Sequence, residues 1–286
     1  MTCLNTLVDD INKSLEGLST GTPLNISEED LDLTLSRIKT TILEWSNPSE
    51  RNSNFTLRMS NIGKPARQLW FEKNKPLDSA KPSAATQMKF LYGHLLEEIL
   101  LMIVRAAGHT VTDEQKEVDL NGIKGHMDCK IDGEVVDIKT ASKFAFSKFK
   151  NGNLHDDDPF GYIPQLAAYE KAEDTGKGGF LVINKEGGDI CLHKPDDLSK
   201  PNMNTLVSNM TKALDSTVMP PICYTPVEEG KKGNMKIHRN CVYCPYKFEC
   251  FKDSNNGKGL RIFKYANRLE YLTKINVEPR VEEILK

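Results

Sequence analysis

Long apolar runs are the first thing missing from this sequence. No stretch approaches the ~18 residues of a membrane span, so no membrane partner is expected. A secretory leader is missing as well: "MTCLNTLVDDINKS" has no basic segment followed by an apolar one, and a cytoplasmic location is expected. Net charge is nearly absent, with 38 Lys and Arg against 40 Asp and Glu, so the chain as a whole does not advertise nucleic-acid binding. Internal repeats and low-complexity segments are absent too. Seven cysteines cannot all pair, and in a reducing compartment disulfides are not expected. Three of the seven crowd together at Cys241, Cys244 and Cys250, which suggests a metal before it suggests a bridge. With 286 residues, 38% of them hydrophobic and 27% charged, the composition fits one large domain or a domain with a sizeable appendage.

Charge is unevenly distributed. Residues 231–264 carry nine Lys or Arg against Glu249 and Asp253, interleaved with Tyr243, Tyr246, Phe248, Phe251 and Phe263. Basic side chains neutralise phosphates and aromatic rings stack on bases, so this segment reads either as a nucleic-acid contact or as a solvated basic tail. At the other end, Ser27 with Asp30 three residues on opens a helix. Leu31, Leu35, Ile38, Ile42 and Trp45 come next at helical spacing, and Asn47-Pro48 closes it. Residues 1–50 thus form a helical preface, joined to the rest of the chain through the polar linker "NPSERNSN". A second helix, from Gln87 to closure at Gly108, is apolar nearly all round, which predicts burial. Strand-like runs at 110–119, 123–131 and 134–140 are separated by Asn121-Gly122 and Asp132-Gly133. A helix over 160–173 and a strand pair turning at Gly187-Gly188 complete the pattern. The order predicts an α/β or α+β fold built around one sheet.

The stretch "GHMDCKIDGEVVDIK" raises a physical problem. If Asp132-Gly133 is a two-residue turn, Ile131 faces Glu134, Cys129 faces Val136, and Asp128 faces Asp137. Like charges directly opposed destabilise a sheet. A shared proton would offset that, and so would a divalent cation, which carboxylate oxygens suit. Alternation puts Lys139 on the face of Asp137, and His126 would face Lys139. Glu97 and Glu98 sit in an otherwise apolar helix, and one of them aimed at the sheet would add a third acid. Two carboxylates and an ammonium on one face can hold a metal, orient water and offset phosphate charge. Exposed acids and lysines on a solvated face are the alternative.

Together these pieces resemble the PD-(D/E)XK nuclease superfamily, in its RecB-like and lambda-exonuclease-like branches, phage exonucleases included. The resemblance runs from about residue 56 to about residue 265. "GHLLE" looks like the helix motif ending on Glu97, "GHMD" gives Asp128, "DIK" gives Asp137 and Lys139, and "QLAAY" gives Gln165 and Tyr169. Each motif alone is weak, and four in order are strong. Met127 stands where the family usually has proline. "LRMSNIGKPARQLWFEKN" is similar to the segment these nucleases use near a DNA end, with Ser60 and Arg67 as phosphate contacts.

The resemblance implies a restriction-endonuclease-like core over 51–225: a central mixed sheet flanked by helices, lying between the preface and a small Cys-rich basic module over 226–286. It implies a DNA exonuclease using Mg2+ or Mn2+, held by Glu97, Asp128, Asp137 and the Ile138 carbonyl. Lys139 would position or deprotonate water, and Gln165 would brace Lys139 or the DNA. A single-strand-annealing or replication protein is an implied partner, in recombination, repair or degradation of DNA, within the host cytoplasm for a phage-encoded chain. An endonuclease on the same site, or a non-catalytic DNA-binding recombination partner, are the rival readings. Cys241-x2-Cys244-x5-Cys250 is similar to the three-cysteine pattern of iron–sulfur members, whose upstream cysteine is replaced here by Pro65. A 4Fe-4S cluster would then need Cys3 or Cys223. With His238 the same cysteines would instead make a zinc set, and metal-free cysteines are the third reading.

Overall fold

The computed structural model describes residues 2–47, 55–77 and 82–284. The linker expected at 47–54 lies, apart from Asn47, outside the described residues. Two compact units divide the chain: Met1–Gly63 with Ala80–Ser208, and Lys64–Ser79 with Asn209–Lys286. In chain order the elements begin with α1 (Leu7–Ser19), α2 (Glu28–Ser46), α3 (Ala66–Asn74) and α4 (Ala84–Ala106). Next are strands β1 (Val111–Thr112), β2 (Glu117–Leu120), β3 (Ile123–His126), β4 (Cys129–Ile131) and β5 (Glu134–Ala141). Then come α5 (Lys143–Lys150), α6 (Tyr162–Ala172), β6 (Gly178–Asn184), β7 (Ile190–His193) and α7 (Met203–Asp215). The chain ends with β8 (Val227–Glu229), β9 (Asn234–Lys236), α8 (Lys247–Cys250), β10 (Arg261–Tyr265), β11 (Arg268–Lys274) and β12 (Glu282–Ile284).

Helices of the first unit start where side chains satisfy their free amides. Ser27, Ser83 and Ser142 precede α2, α4 and α5 in extended backbone. Each hydroxyl accepts from an N–H three residues on, that of Asp30, Thr86 or Ala145. Just past α4, Gly108 takes a φ of +91°, the left-handed stop that glycine allows. Burial departs from the sequence expectation here. Only the C-terminal end of α4 is covered, at Leu100, Leu101 and Val104, while Met88, Phe90 and Ile99 are exposed. On α2, Leu31, Leu35, Ile42 and Trp45 are likewise exposed, and the buried residue is Thr34.

A mixed sheet in the order β1-β4-β5-β6-β7 organises this unit. All its pairs are antiparallel except β5–β6, which is parallel because α5 and α6 make the crossover between them. Asp132 and Gly133 both have positive φ, +50° and +84°, as a two-residue turn of matching twist requires. That turn sets Ile131 opposite Glu134 and Cys129 opposite Val136, the register expected from the sequence. The run 123–131, expected as one strand, is two. β3 pairs with β2 in a separate two-stranded ribbon, and β4 resumes in the main sheet after Met127 and Asp128. His126 therefore faces Glu117, not Lys139.

Alternation along β5 and β6 supplies two cores. Val135, Phe180 and Val182 pack with Phe146, Phe149, Leu166 and Tyr169 of α5 and α6. Val136, Ile138 and Leu181 pack with Leu7 and Ile11 of α1 and with Leu100, Leu101 and Val104 of α4. His109 is buried between α1 and the hairpin turn, with Nδ1 2.7 Å from Asp132 and Nε2 3.3 Å from Asp10.

The second unit holds α3, the end of α7 from Asn209, and an antiparallel sheet in the order β12-β10-β11-β9-β8 that the sequence reading did not anticipate. Ile237, Phe251 and Leu260 form its core, and Phe71 stacks on Tyr246 at 5.2 Å. Much of the basic run is met by acids of the same unit. Lys236 pairs with Glu270 (3.0 Å), Arg261 with Glu283 (2.5 Å) and with Glu278, and Lys252 with Glu249 (3.6 Å). Lys247 lies over the Phe248 and Tyr271 rings.

Candidate active site

The first unit brings Glu97, Asp128, Asp137 and Lys139 into one electrostatic neighbourhood. The hairpin turn fixes Asp137 in the middle of β5, with its side chain 1% exposed. Asp128 lies one residue before β4, where the chain passes from the two-stranded ribbon into the main sheet. Its Oδ2 accepts the N–H of Ile138 at 2.7 Å. Glu97 comes from α4, where Gly93, one turn earlier, faces Thr140 of β5: a Cβ there would lie 3.4 Å from its hydroxyl. Gln115 donates to Glu97 at 3.2 Å. Glu98, one residue on, belongs elsewhere, 3.8 Å from Arg37, which also holds Glu114.

Charge is poorly satisfied in this cluster. Burial, then Glu98 and Asp137, push the Glu97 carboxyl up to about 7. Burial, then Asp137 and Glu97, push Asp128 well above the carboxylate range. For Lys139, burial acts to lower the pKa, but Asp137 and Asp128 outweigh it and the net shift is upward, so the side chain is an ammonium. Its Nζ lies 2.5 Å from Asp137 Oδ2. Asp137 Oδ1 has no hydrogen-bond partner, and Oδ2 is met by Lys139 alone. Buried carboxylate oxygens without donors are costly unless a cation takes them up.

A divalent metal suits this donor set: three carboxylates that repel one another, with Lys139 answering one oxygen of the most buried of them. Among the described residues, no three such side chains converge on one point, because Asp137 faces Lys139 and Asp128 faces the Ile138 amide.

Gln165 and Tyr169 share one face of α6, and Gln165 donates to the Tyr169 hydroxyl at 3.1 Å. Burial raises Tyr169 to about 12, and Asp137 and Asp128 add to the rise, which places the phenol beside the acids. Gly125 makes room for this ring, since a Cβ there would lie 2.9 Å from Tyr169 Cε1 and 2.8 Å from Met59 Cβ. Ser60 is exposed in the turn just after residue 58, in the first unit. Arg67 belongs to the second unit, where its Nε donates to Cys250 Sγ (3.2 Å) and its Nη1 to Pro220 O (2.6 Å). His238 uses Nδ1 to accept the Asn240 N–H at 3.2 Å and stacks on Tyr224.

Two aromatic residues escaped the sequence reading. Tyr162 lies with its ring 5.0 Å from Lys139 Nζ, and Phe160, 62% exposed, stacks on Tyr162 at 5.5 Å. Gly161 between them has a φ of +74° and touches Gly63 backbone to backbone. Asp158 accepts the amides of Tyr162 and Ile163 at 2.9 Å, which fixes the start of α6. The pattern "FGYIPQ" was the available signal: two aromatics about a glycine, just ahead of Gln165.

No family model and no curated protein matches the sequence. In structure the chain is similar to LHK-Exo in complex with dAMP, at 17% identity and a TM-score of 0.39, over 56% of this chain and 87% of that one. It is similar also to the alkaline exonuclease of that name from Laribacter hongkongensis (16% identity, TM-score 0.36, 54% and 89% covered). A phage-related exonuclease from Haemophilus somnus 129PT gives 12% identity and a TM-score of 0.36, over 56% and 91%.

Proposed function

We propose that this chain is a divalent-metal-dependent deoxyribonuclease of the PD-(D/E)XK kind, working from DNA ends in recombination, repair or degradation of DNA. The observation that carries the reading is Asp137: a buried carboxylate answered on one oxygen by Lys139 alone, with Glu97 and Asp128 crowding it. Structural use alone gives no reason to gather three acids there. Glu97, Asp128 and Asp137, with the Ile138 carbonyl, would hold Mg2+ or Mn2+. Such an ion supplies an acidified water and a polarised scissile phosphate, so no covalent intermediate is needed.

The chain's own groups divide the remaining work. Lys139, held as an ammonium, offsets charge that builds on the phosphate rather than accepting the water's proton. Gln165 and Tyr169 brace the inner wall of the site. Tyr162 and Phe160 offer ring faces on which a base can stack.

Digestion of end-labelled linear DNA beside closed-circular DNA, with magnesium present or chelated, tests the reading. Loss of linear DNA only, abolished in Lys139→Ala, is expected. Circle cutting would turn the reading to an endonuclease. Binding without cleavage of either substrate would refute catalysis.

A further inference from the structure

Between β1 and β2 the chain changes partners. Val111 and Thr112 pair with β4, whereas Glu117–Leu120 pair with β3. Residues 113–116 must therefore cross from one partner to the other, just where Met127 and Asp128 cross on the facing side. The crossing is sharp. Asp113 and Gln115 take φ of +53° and +54°, in the left-handed region that a side chain makes costly. Aspartate visits this region, glutamine seldom does, and glycine would take it freely.

Side chains on either side of Gln115 pin the loop. Asp113 pairs with Lys130 at 3.1 Å, and Lys116 pairs with Glu173 at 2.9 Å. Glu114 accepts from Arg37 of α2 and from Arg105 of α4. The backbone is pinned as well. The Gln115 N–H donates to Asp128 O at 2.9 Å, and the Met127 N–H donates to Lys116 O at 3.1 Å.

Gln115 itself is exposed, so packing does not explain a glutamine at this strained position. Backbone held outside its easy range beside a cluster of acids points to use. The side chain supplies that use: Nε2 donates to Glu97 Oε1 at 3.2 Å. One residue thus touches two of the three acids, Asp128 through the main chain and Glu97 through the amide. Glu97 has a long, rotamer-rich side chain that needs such a tether. Its Oε2 lies 4.0 Å from the ring of His94, which is beyond hydrogen-bond range.

We propose that Gln115 is a positioning residue: it holds the Glu97 carboxylate in place, so that the acids take up a divalent cation with little rearrangement. The inference rests on the metal reading given above. A ligating carboxylate that is itself hydrogen-bonded keeps its orientation, and loss of such a partner costs about 10- to 100-fold in metal affinity.

Gln115→Gly isolates the amide. Glycine takes a φ of +54° without strain and keeps the N–H that meets Asp128, so the melting temperature in chelator should stay within a few degrees of wild type. Calorimetric titration of the full chain with Mn2+, without DNA, should show binding weakened by about 10- to 100-fold. In cleavage assays the Mn2+ concentration for half-maximal rate should rise in step, with KM for linear DNA unchanged. Lys116→Ala is the control. It loosens the same loop at Glu173 without touching Glu97, and should bind Mn2+ as the wild type does. Equal Mn2+ affinity in Gln115→Gly, an equal loss in Lys116→Ala, a marked fall in melting temperature, or a raised KM for DNA at unchanged metal affinity would each overturn the positioning role and leave the metal reading standing. A wild type that binds no Mn2+ would overturn both.

Discussion

Glu97 makes the metal-free protein a pH sensor of a definite sign. Its carboxyl has a pKa of about 7 in the folded chain against 4.5 for the free group. A group that binds its proton more tightly when folded contributes stability that is fully present below pH 4.5. That contribution is lost as the pH rises through about 7. At about 1.4 kcal/mol per pH unit, the span from 4.5 to about 7 amounts to about 3 kcal/mol. For a chain of this size, where ~1 kcal/mol moves the melting temperature by ~2–4 °C, this is a fall of about 10 °C. Thermal unfolding in chelator, tracked from pH 4.5 to 8, should show that fall. Glu97→Gln, which keeps the shape and removes the charge, should make it shallower, with Asp128, whose pKa is also raised, accounting for the remainder. Adding magnesium should restore the wild type most at the alkaline end, because binding to the folded state alone stabilises it. A wild-type profile that is flat or rises with pH, or a Glu97→Gln profile of equal slope, would refute the reasoning.

The same geometry sets other outcomes. Asp137→Asn should abolish cleavage of linear DNA while leaving binding of the same DNA largely intact, read by fluorescence anisotropy. Gly161→Ala should cost several kcal/mol by denaturant titration, because the new Cβ would lie 2.4 Å from the Gly63 backbone at a φ of +74°. Gly176→Ala, with a φ of +58° but open space around it, should cost only about 1–2 kcal/mol. Phe160→Ala should leave stability unchanged and weaken binding of a short single-stranded oligonucleotide by about 1–3 kcal/mol, read by fluorescence anisotropy. Equal binding would remove Phe160 from the substrate path.

What the sequence revealed depended on whether the signal was local. Asp132-Gly133 dictates backbone angles on its own, so the β4–β5 register and the sharing of a face by Asp137 and Lys139 were legible. Ser27 with Asp30 marked the start of α2 for the same reason. The break between β3 and β4 was not legible, because alternation continues through Met127 and Asp128 while the pairing partner changes. Nor was the exposure of Leu35, Ile42 and Trp45, since helical spacing says which residues share a face and not what covers it. The sheet of the second unit went unread because its basic and aromatic residues invited a binding interpretation. Those cations answer acids at Glu270, Glu278 and Glu283, contacts that become visible only once β10, β11 and β12 pair. Tyr162 was missed because its relation to Lys139 crosses from α6 to β5.

The first helix has the character of a removable plug. Leu4, Leu7 and Ile11 are at most 1% exposed against the α4 side of the sheet, and Asp10 reaches the buried His109 that also holds the hairpin turn. Yet residues 20–26, which join α1 to α2, are largely exposed and in neither helix nor strand. A protease that cut there would sever a covalent link without touching a core contact. The nicked protein should remain one particle, and a peptide of residues 1–20 should rejoin a chain that begins at residue 27. The support beneath the hairpin that bears the acids would then come from two molecules, with His109 as the seam.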